Sequence, residues 1–217
     1  MKREYSRAQL IMTGVIAFYL MGTVLNNIIT IKTVPLGNFA TLSCGLLLSP
    51  IVFACNDILT ECMGEKFAFK TIMASSLVNL WWSLVCVIVI ALPGTRANVS
   101  EAIETVLGST WRVTVSSFIA YVGGGYLNNL IMTKMRQKDG ENKYYLRAIL
   151  SSAFGQLLDN YAFRILAFAP IGLTAVEFSW DTIMILPLVT TIAETVLESF
   201  VTPISKKICT VVQSENE

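Results

Sequence analysis

Histidine is absent from this 217-residue chain, and only 14% of its residues are charged. Without histidine there is no histidine-based catalysis, and the commonest metal ligand and usual proton shuttle are missing, so a proton relay must use Asp or Glu. The sequence contains no extended basic tract and no nucleic-acid or ATP-binding motif. None of the five cysteines stands in a CxxC pair, and we interpret them as packing residues. We therefore expect no metal, no cofactor and no nucleic-acid partner.

Apolar residues dominate what is present. They make up 54% of the chain, and the mean hydropathy is +0.61. This composition is typical of a polytopic membrane protein, with the lipid bilayer as its surroundings. Short loops indicate a single domain over residues 1–217. The sequence predicts an all-α protein with six transmembrane helices, at Gln9–Ile31, Asn38–Ile58, Ala68–Leu92, Thr110–Met135, Tyr145–Ile171 and Asp181–Ser205.

The distribution of Lys and Arg predicts the orientation of these spans. One side of the membrane holds the N-terminus and the segments after the second, fourth and sixth spans, and it is much richer in Lys and Arg. The other side holds only Lys32, Arg96 and Arg112, and Arg164 lies inside a span. Cytoplasmic loops carry an excess of Lys and Arg, so we expect both termini in the cytoplasm. The rich side holds Lys2, Arg3, Arg7, Lys66, Lys70, Lys134, Arg136, Lys138, Lys143, Arg147, Lys206 and Lys207.

Two similar segments suggest an internal repeat. LNNIITIK at Leu25–Lys32 resembles LNNLIMTK at Leu127–Lys134, and the same offset relates Asp57 to Asp159. With three spans in each half, the halves would be inverted in the membrane, as in many secondary transporters. The alternative is a coincidence between two apolar, Asn-containing helix ends.

The fifth predicted span carries an unusual number of polar residues. Polar groups at membrane depth are costly and usually face a bundle interior or a water-filled path. On a helix, these polar residues share one face and form a stripe centred on Asp159, and Asn160 and Arg164 lie along the edge of that stripe. This pattern indicates a binding surface within the membrane. The stripe consists of Ser151, Ser152, Gly155, Gln156 and Asp159.

Acidic residues in two other spans have more than one interpretation. Asp57 and Glu61 bind a ligand or a proton, or else Glu61 pairs with Lys66 or Lys70 at the cytoplasmic interface. Glu194 and Glu198 lie one helical turn apart, and two ionised acids on one helix face repel each other.

That acid pair suggests three roles. It could carry protons, it could supply a structural partner for Arg164, or it could form the catalytic pair of an intramembrane enzyme. No GxSxG, GxGD or HExxH motif accompanies the pair, so we expect no enzymatic activity.

These motifs resemble those of the queuosine precursor transporter family (YhhQ-type, vitamin uptake transporter-like). The resemblance rests on NDILTECMGEKFAFK at Asn56–Lys70, on LRAILSSAFGQLLDNYAFRILAF at Leu146–Phe168, and on the Asn27 and Thr202-Pro203 regions. It implies a six-span inner-membrane protein that imports 7-deazaguanine precursors of queuosine, with queuine as a further candidate substrate. The implied substrate-binding positions are Asn27, Asp57, Ser151, Ser152, Gln156, Asp159 and Glu198. Glu194 departs from the family pattern, which has Lys there.

The resemblance and the residues together give the expected function. A carboxylate matches the two-donor edge of a deazaguanine, so Asp159 or Glu198 could bind that edge, while Gln156 and Asn27 could read the O6 acceptor. Glu194, Arg164 and Glu61 are the candidates for coupling or for matching the ligand charge. We expect a secondary transporter. The alternatives are a substrate-binding subunit of an ATP-driven vitamin importer and an intramembrane enzyme, and assembly into a homo-oligomer stays open.

Overall fold

The computed structural model of the chain describes residues 6–30, 32–36, 40–108, 111–140, 142–169 and 179–215. In this part of the chain, helices account for most residues, and a short antiparallel hairpin pairs β1 (Thr33–Leu36) with β2 (Ala40–Ser43). A single 3-10 turn at Cys44–Leu47 follows the hairpin. The helices are α1 (Arg7–Ile29), α2 (Ser49–Met63), α3 (Glu65–Ala91), α4 (Ala97–Leu107), α5 (Trp111–Asp139), α6 (Tyr144–Phe168) and α7 (Trp180–Ser214).

The outer surface of the bundle is apolar. Among the described helices, α1, α3 and α7 are long and apolar enough to cross a membrane. Large hydrophobic side chains such as Phe18, Trp81 and Phe200 are exposed on these three helices. Many polar residues are buried in the interior of the bundle. This distribution of polar and apolar residues is the reverse of that in a soluble protein and suits a lipid solvent. The chain is therefore an all-α membrane protein, apart from its short hairpin, while six spans and cytoplasmic termini stay predictions.

The second predicted span is wrong over its first half. Instead of a helix over Asn38–Ile58, the structure has strand β2 and the 3-10 turn before α2 begins at Ser49. Pro50 in the first turn of α2 has a fixed φ that suits a helix start. The resulting helix of 15 residues is about 22 Å long at 1.5 Å per residue. It is shorter than the roughly 30 Å hydrocarbon core of a bilayer.

Helix α2 is the centre of the bundle. It packs against α1, α3, α5, α6 and α7. Nearly every residue from Ser49 to Glu61 is buried, including the polar residues Asn56, Asp57 and Thr60. A short helix enclosed on all sides can carry polar side chains at membrane depth because neighbouring helices supply their hydrogen-bond partners.

Two glycines allow α5 and α6 to approach closely. A Cβ atom placed on Gly124 would lie 2.7 Å from the carbonyl oxygen of Gly155, and one placed on Gly155 would lie 2.8 Å from the carbonyl oxygen of Gly124. Small residues at helix crossings permit such backbone contact in membranes. The close crossing places Asn128, one turn beyond Gly124, next to Gly155 of α6.

Candidate binding site

Asp57 is the first of two buried carboxylates at the centre of the bundle. Its side chain is 1% exposed. Oδ1 accepts a hydrogen bond from Asn128 Nδ2 of α5 at 3.0 Å, and Oδ2 accepts one from Ser152 Oγ of α6 at 3.3 Å. Three helices therefore meet at this carboxylate.

Glu198 of α7 is the second carboxylate. It is fully buried, and Oε2 accepts a hydrogen bond from Gln156 Nε2 at 2.9 Å. Because Ser152 and Gln156 lie one turn apart on α6, the carboxylates that they contact are neighbours as well. We call Asp57, Asn128, Ser152, Gln156 and Glu198 the central network.

An amide cluster extends the central network toward the C-terminal end of α2. Asn129 Oδ1 accepts from Asn56 Nδ2 at 2.7 Å and from Thr60 Oγ1 at 2.8 Å. Asn128 and Asn129 are both fully buried. The sequence did not predict either amide as a site residue, and the hydrogen bond from Asn128 to Asp57 places Asn128 in the candidate site. The signal for it was the offset that relates the two Asn pairs and the two Asp residues.

A second polar group surrounds Glu194, one turn before Glu198. Glu194 Oε1 accepts from Ser49 Oγ at 2.6 Å, and Oε2 accepts from Asn160 Nδ2 at 2.8 Å. Arg164 donates to Thr190 Oγ1 at 3.3 Å. Arg164 acts on Glu194 electrostatically, but no ion pair within 4.0 Å joins these two described residues. Neutral donors thus make the direct contacts with Glu194.

Asp159, the centre of the predicted stripe, has a different environment from Asp57. It is half-buried, next to Gly124 of α5 and near enough to Glu194 for the two charges to interact. Within the described ranges, no hydrogen bond to its carboxylate is formed. Asp159 therefore offers two acceptor oxygens to a ligand, whereas Asp57 is already engaged by two helices.

Two predicted site residues lie apart from the carboxylates. Asn27 is exposed and donates to Asn79 Oδ1 of α3 at 2.7 Å, so the structure does not bring it into the central network. Ser151 is fully buried, and its hydroxyl donates to the carbonyl of Ala148 in its own helix at 3.1 Å. The helical periodicity was right that Ser151 is buried, but its contact is with the helix backbone.

Glu61 forms an ion pair, but with other partners than Lys66 or Lys70. Its carboxylate contacts Arg147 Nη2 at 2.5 Å and Arg136 Nε at 3.5 Å. Gly64, with φ of 85°, lies between the end of α2 and the start of α3. Lys66 and Lys70 both lie on α3, where they are exposed. Arg147 instead reaches Glu61 from α6, a tertiary contact that local spacing cannot show.

Several buried polar atoms of this region have no hydrogen-bond partner among the described residues. Most buried polar groups in proteins are hydrogen-bonded, so unpartnered ones mark positions where a ligand or water can bind. The excess is of acceptors, which suits a ligand that offers N–H or O–H donors. The unpartnered acceptors are Asn56 Oδ1, Asn128 Oδ1, Glu61 Oε2 and Glu198 Oε1, and the unpartnered donors are Asn129 Nδ2 and Arg147 Nε.

A polar interior inside an apolar helical bundle is typical of a membrane protein with a functional site at membrane depth. The family model described as "putative vitamin uptake transporter" matches residues 43–208, from the end of β2 into the last turns of α7. This match covers more than half of the chain, so the chain belongs to the vitamin uptake transporter family. The matched range contains the whole central network, Asp159 and Glu194. No curated protein and no solved structure matches the chain.

Proposed function

We propose that this protein takes up 7-deazaguanine precursors of queuosine across the inner membrane as a secondary transporter. The observation that carries the proposal is the acceptor-rich interior of α2, α5, α6 and α7 in a member of a vitamin uptake transporter family. A 7-deazaguanine offers N–H donors from its ring and its exocyclic amine. Such a ligand supplies the hydrogen-bond donors that this interior lacks.

Asp159 is the proposed principal contact with the substrate. Its carboxylate is half-buried and has no hydrogen-bond partner among the described residues, so both oxygens can accept from the two-donor edge of the ligand. Glu194, one helix away, would set the preferred ligand charge. An amine-bearing precursor, such as 7-aminomethyl-7-deazaguanine, complements a carboxylate better than the neutral 7-cyano form does.

The topology that accompanies this function is also a proposal. It has six spans, both termini in the cytoplasm, and two inverted halves with the substrate near their interface. Asp57 and Asp159, which the offset relates, occupy different environments in the structure. A transporter that alternates between two forms has its halves in different arrangements at any moment, and this asymmetry is compatible with one such form.

Uptake of a labelled precursor tests the proposal directly. Cells that cannot synthesise queuosine should accumulate labelled 7-aminomethyl-7-deazaguanine when this chain is expressed, and not with the empty vector. Liposomes that contain only the purified chain should also exchange the precursor. Exchange without ATP excludes the ATP-driven importer subunit, and recovery of unchanged precursor excludes an enzyme. Absence of exchange by well-folded protein would refute the secondary transporter.

A further inference from the structure

We propose that Asp57 and Glu198 form a proton-carrying acid pair that couples uptake to the proton gradient. The two side chains are 1% and 0% exposed and interact electrostatically. Their hydrogen bonds to Ser152 and Gln156 place them one turn apart along α6. The coupling half of this proposal rests on the proposed transport function, whereas the presence of the proton rests on the structure alone.

The charges of the interior do not balance without a proton. Glu61 has Arg147 and Arg136, and Glu194 lies near Arg164. No basic side chain forms an ion pair with Asp57 or Glu198 in the described residues. A buried carboxylate without a cation is very costly at membrane depth, so the pair is not doubly ionised. The other titratable or charged groups that act on the pair are Cys55, Glu61, Tyr144, Arg147 and Glu194.

The hydrogen bonds at the pair favour a proton over a metal cation. Three of the four carboxylate oxygens already accept from N–H or O–H donors, and within the described part of the chain only Glu198 Oε1 has no partner. A bound cation requires several oxygens that face it without intervening donors. One free oxygen is sufficient for one proton. Asn128 Oδ1, fully buried and beside Asp57, is a further acceptor that lacks a donor.

The proposed cycle moves one proton with each substrate. The pair accepts a proton from the outer side, which forms one O–H bond on one of its carboxyl groups. That bond breaks when the proton is released to the cytoplasm, and no electron transfer takes part. Helices α2, α6 and α7 meet at the two carboxylates. A movement of α2 and α7 relative to α6 would change the side of the membrane from which a proton reaches the pair.

Infrared spectroscopy of the purified chain in nanodiscs tests the proton itself. At neutral pH, the spectrum should contain the carbonyl band of a protonated carboxylic acid that is lost from the double variant Asp57→Asn/Glu198→Gln. The control Asp181→Asn changes an exposed acid in the first turn of the same helix α7 and should leave this band unchanged. If the double variant keeps the whole band, the pair holds no proton and the proposal is wrong.

Proteoliposome transport tests the coupling. One proton per substrate converts an inward gradient of about one pH unit into about tenfold accumulation of labelled 7-aminomethyl-7-deazaguanine, since each unit is a factor of ten in proton activity. Glu198→Gln and Asp57→Asn should lose the accumulation that the pH gradient drives, and their exchange of the precursor between equal concentrations is measured in parallel. Asp181→Asn should keep both activities.

Three transport results separate the two proposals. Accumulation driven by a sodium gradient, with no response to pH, would overturn the proton pair while uptake stands. Full pH-driven accumulation by Glu198→Gln and Asp57→Asn would overturn it as well. Absence of any exchange by the wild type would refute the proposed substrate, and the infrared band would then decide the pair by itself. If a variant also loses exchange, the infrared band of the purified protein decides whether the pair holds the proton.

Discussion

The ion pair between Glu61 and Arg147 should dominate the stability of the end of the bundle where the α5–α6 turn lies. Arg147 is fully buried, and it contacts the Glu61 carboxylate while donating to the carbonyls of Gly140 and Asn142 at 2.8 and 2.7 Å. It thus joins the end of α2 to the α5–α6 turn. The perturbation that removes these contacts with little change in side-chain length is Arg147→Met.

The expected cost follows from the charge that remains. Removal of one partner of a buried ion pair typically costs about 3–5 kcal/mol, because the other charge is left buried without compensation. Arg136 stays 3.5 Å from Glu61, but its side chain is 36% exposed, so it compensates only partly. We therefore expect a loss of about 3 kcal/mol in the free energy of unfolding, at the lower end of that range.

A double-mutant cycle provides the assay. The free energy of unfolding would be measured by titration with a denaturing detergent for the wild type, Arg147→Met, Glu61→Met and the double variant. The double variant should be more stable than Arg147→Met because no unpaired carboxylate remains. Lys66→Met, at an exposed position on α3, is the matched control and should change stability by less than about 0.5 kcal/mol. If Arg147→Met costs no more than Lys66→Met, the buried ion pair does not form.

Three further predictions concern the site and its scaffold. Asp159→Asn replaces one acceptor oxygen with a donor, so binding of a 7-deazaguanine should weaken by about 1–3 kcal/mol in a calorimetric titration; unchanged affinity at normal expression would remove Asp159 from the site. In competition with labelled precursor, the amine form should compete better than the nitrile form in the wild type, and Glu194→Gln should erase that difference; equal competition in both proteins would make Glu194 a structural residue. Gly155→Ala should lower thermal stability and uptake because its Cβ would lie 2.8 Å from the Gly124 carbonyl oxygen, whereas Gly14→Ala, where nothing lies within 4 Å of the added atom, should be tolerated.

Much of the architecture was already present in the sequence. Apolar runs predicted helices where α1, α3, α5, α6 and α7 lie, since a helix of about 20 apolar residues is the simplest way to satisfy a backbone in lipid. Helical periodicity alone placed Ser152 and Gln156 on the buried face of α6. The motifs around Asp57 and Asp159 identified the family that the comparison confirmed.

Tertiary structure decided what the polar residues contact. Spacing along one helix cannot tell that Asp57 meets Asn128 and Ser152, that Arg147 rather than a lysine reaches Glu61, or that Asn27 turns to α3. The second span was mispredicted because hydropathy does not distinguish one long transmembrane helix from a strand and a 3-10 turn followed by a short helix that other helices enclose. Hydropathy and periodicity are properties of single segments, whereas hydrogen bonds and ion pairs between helices depend on which faces the folded bundle brings together.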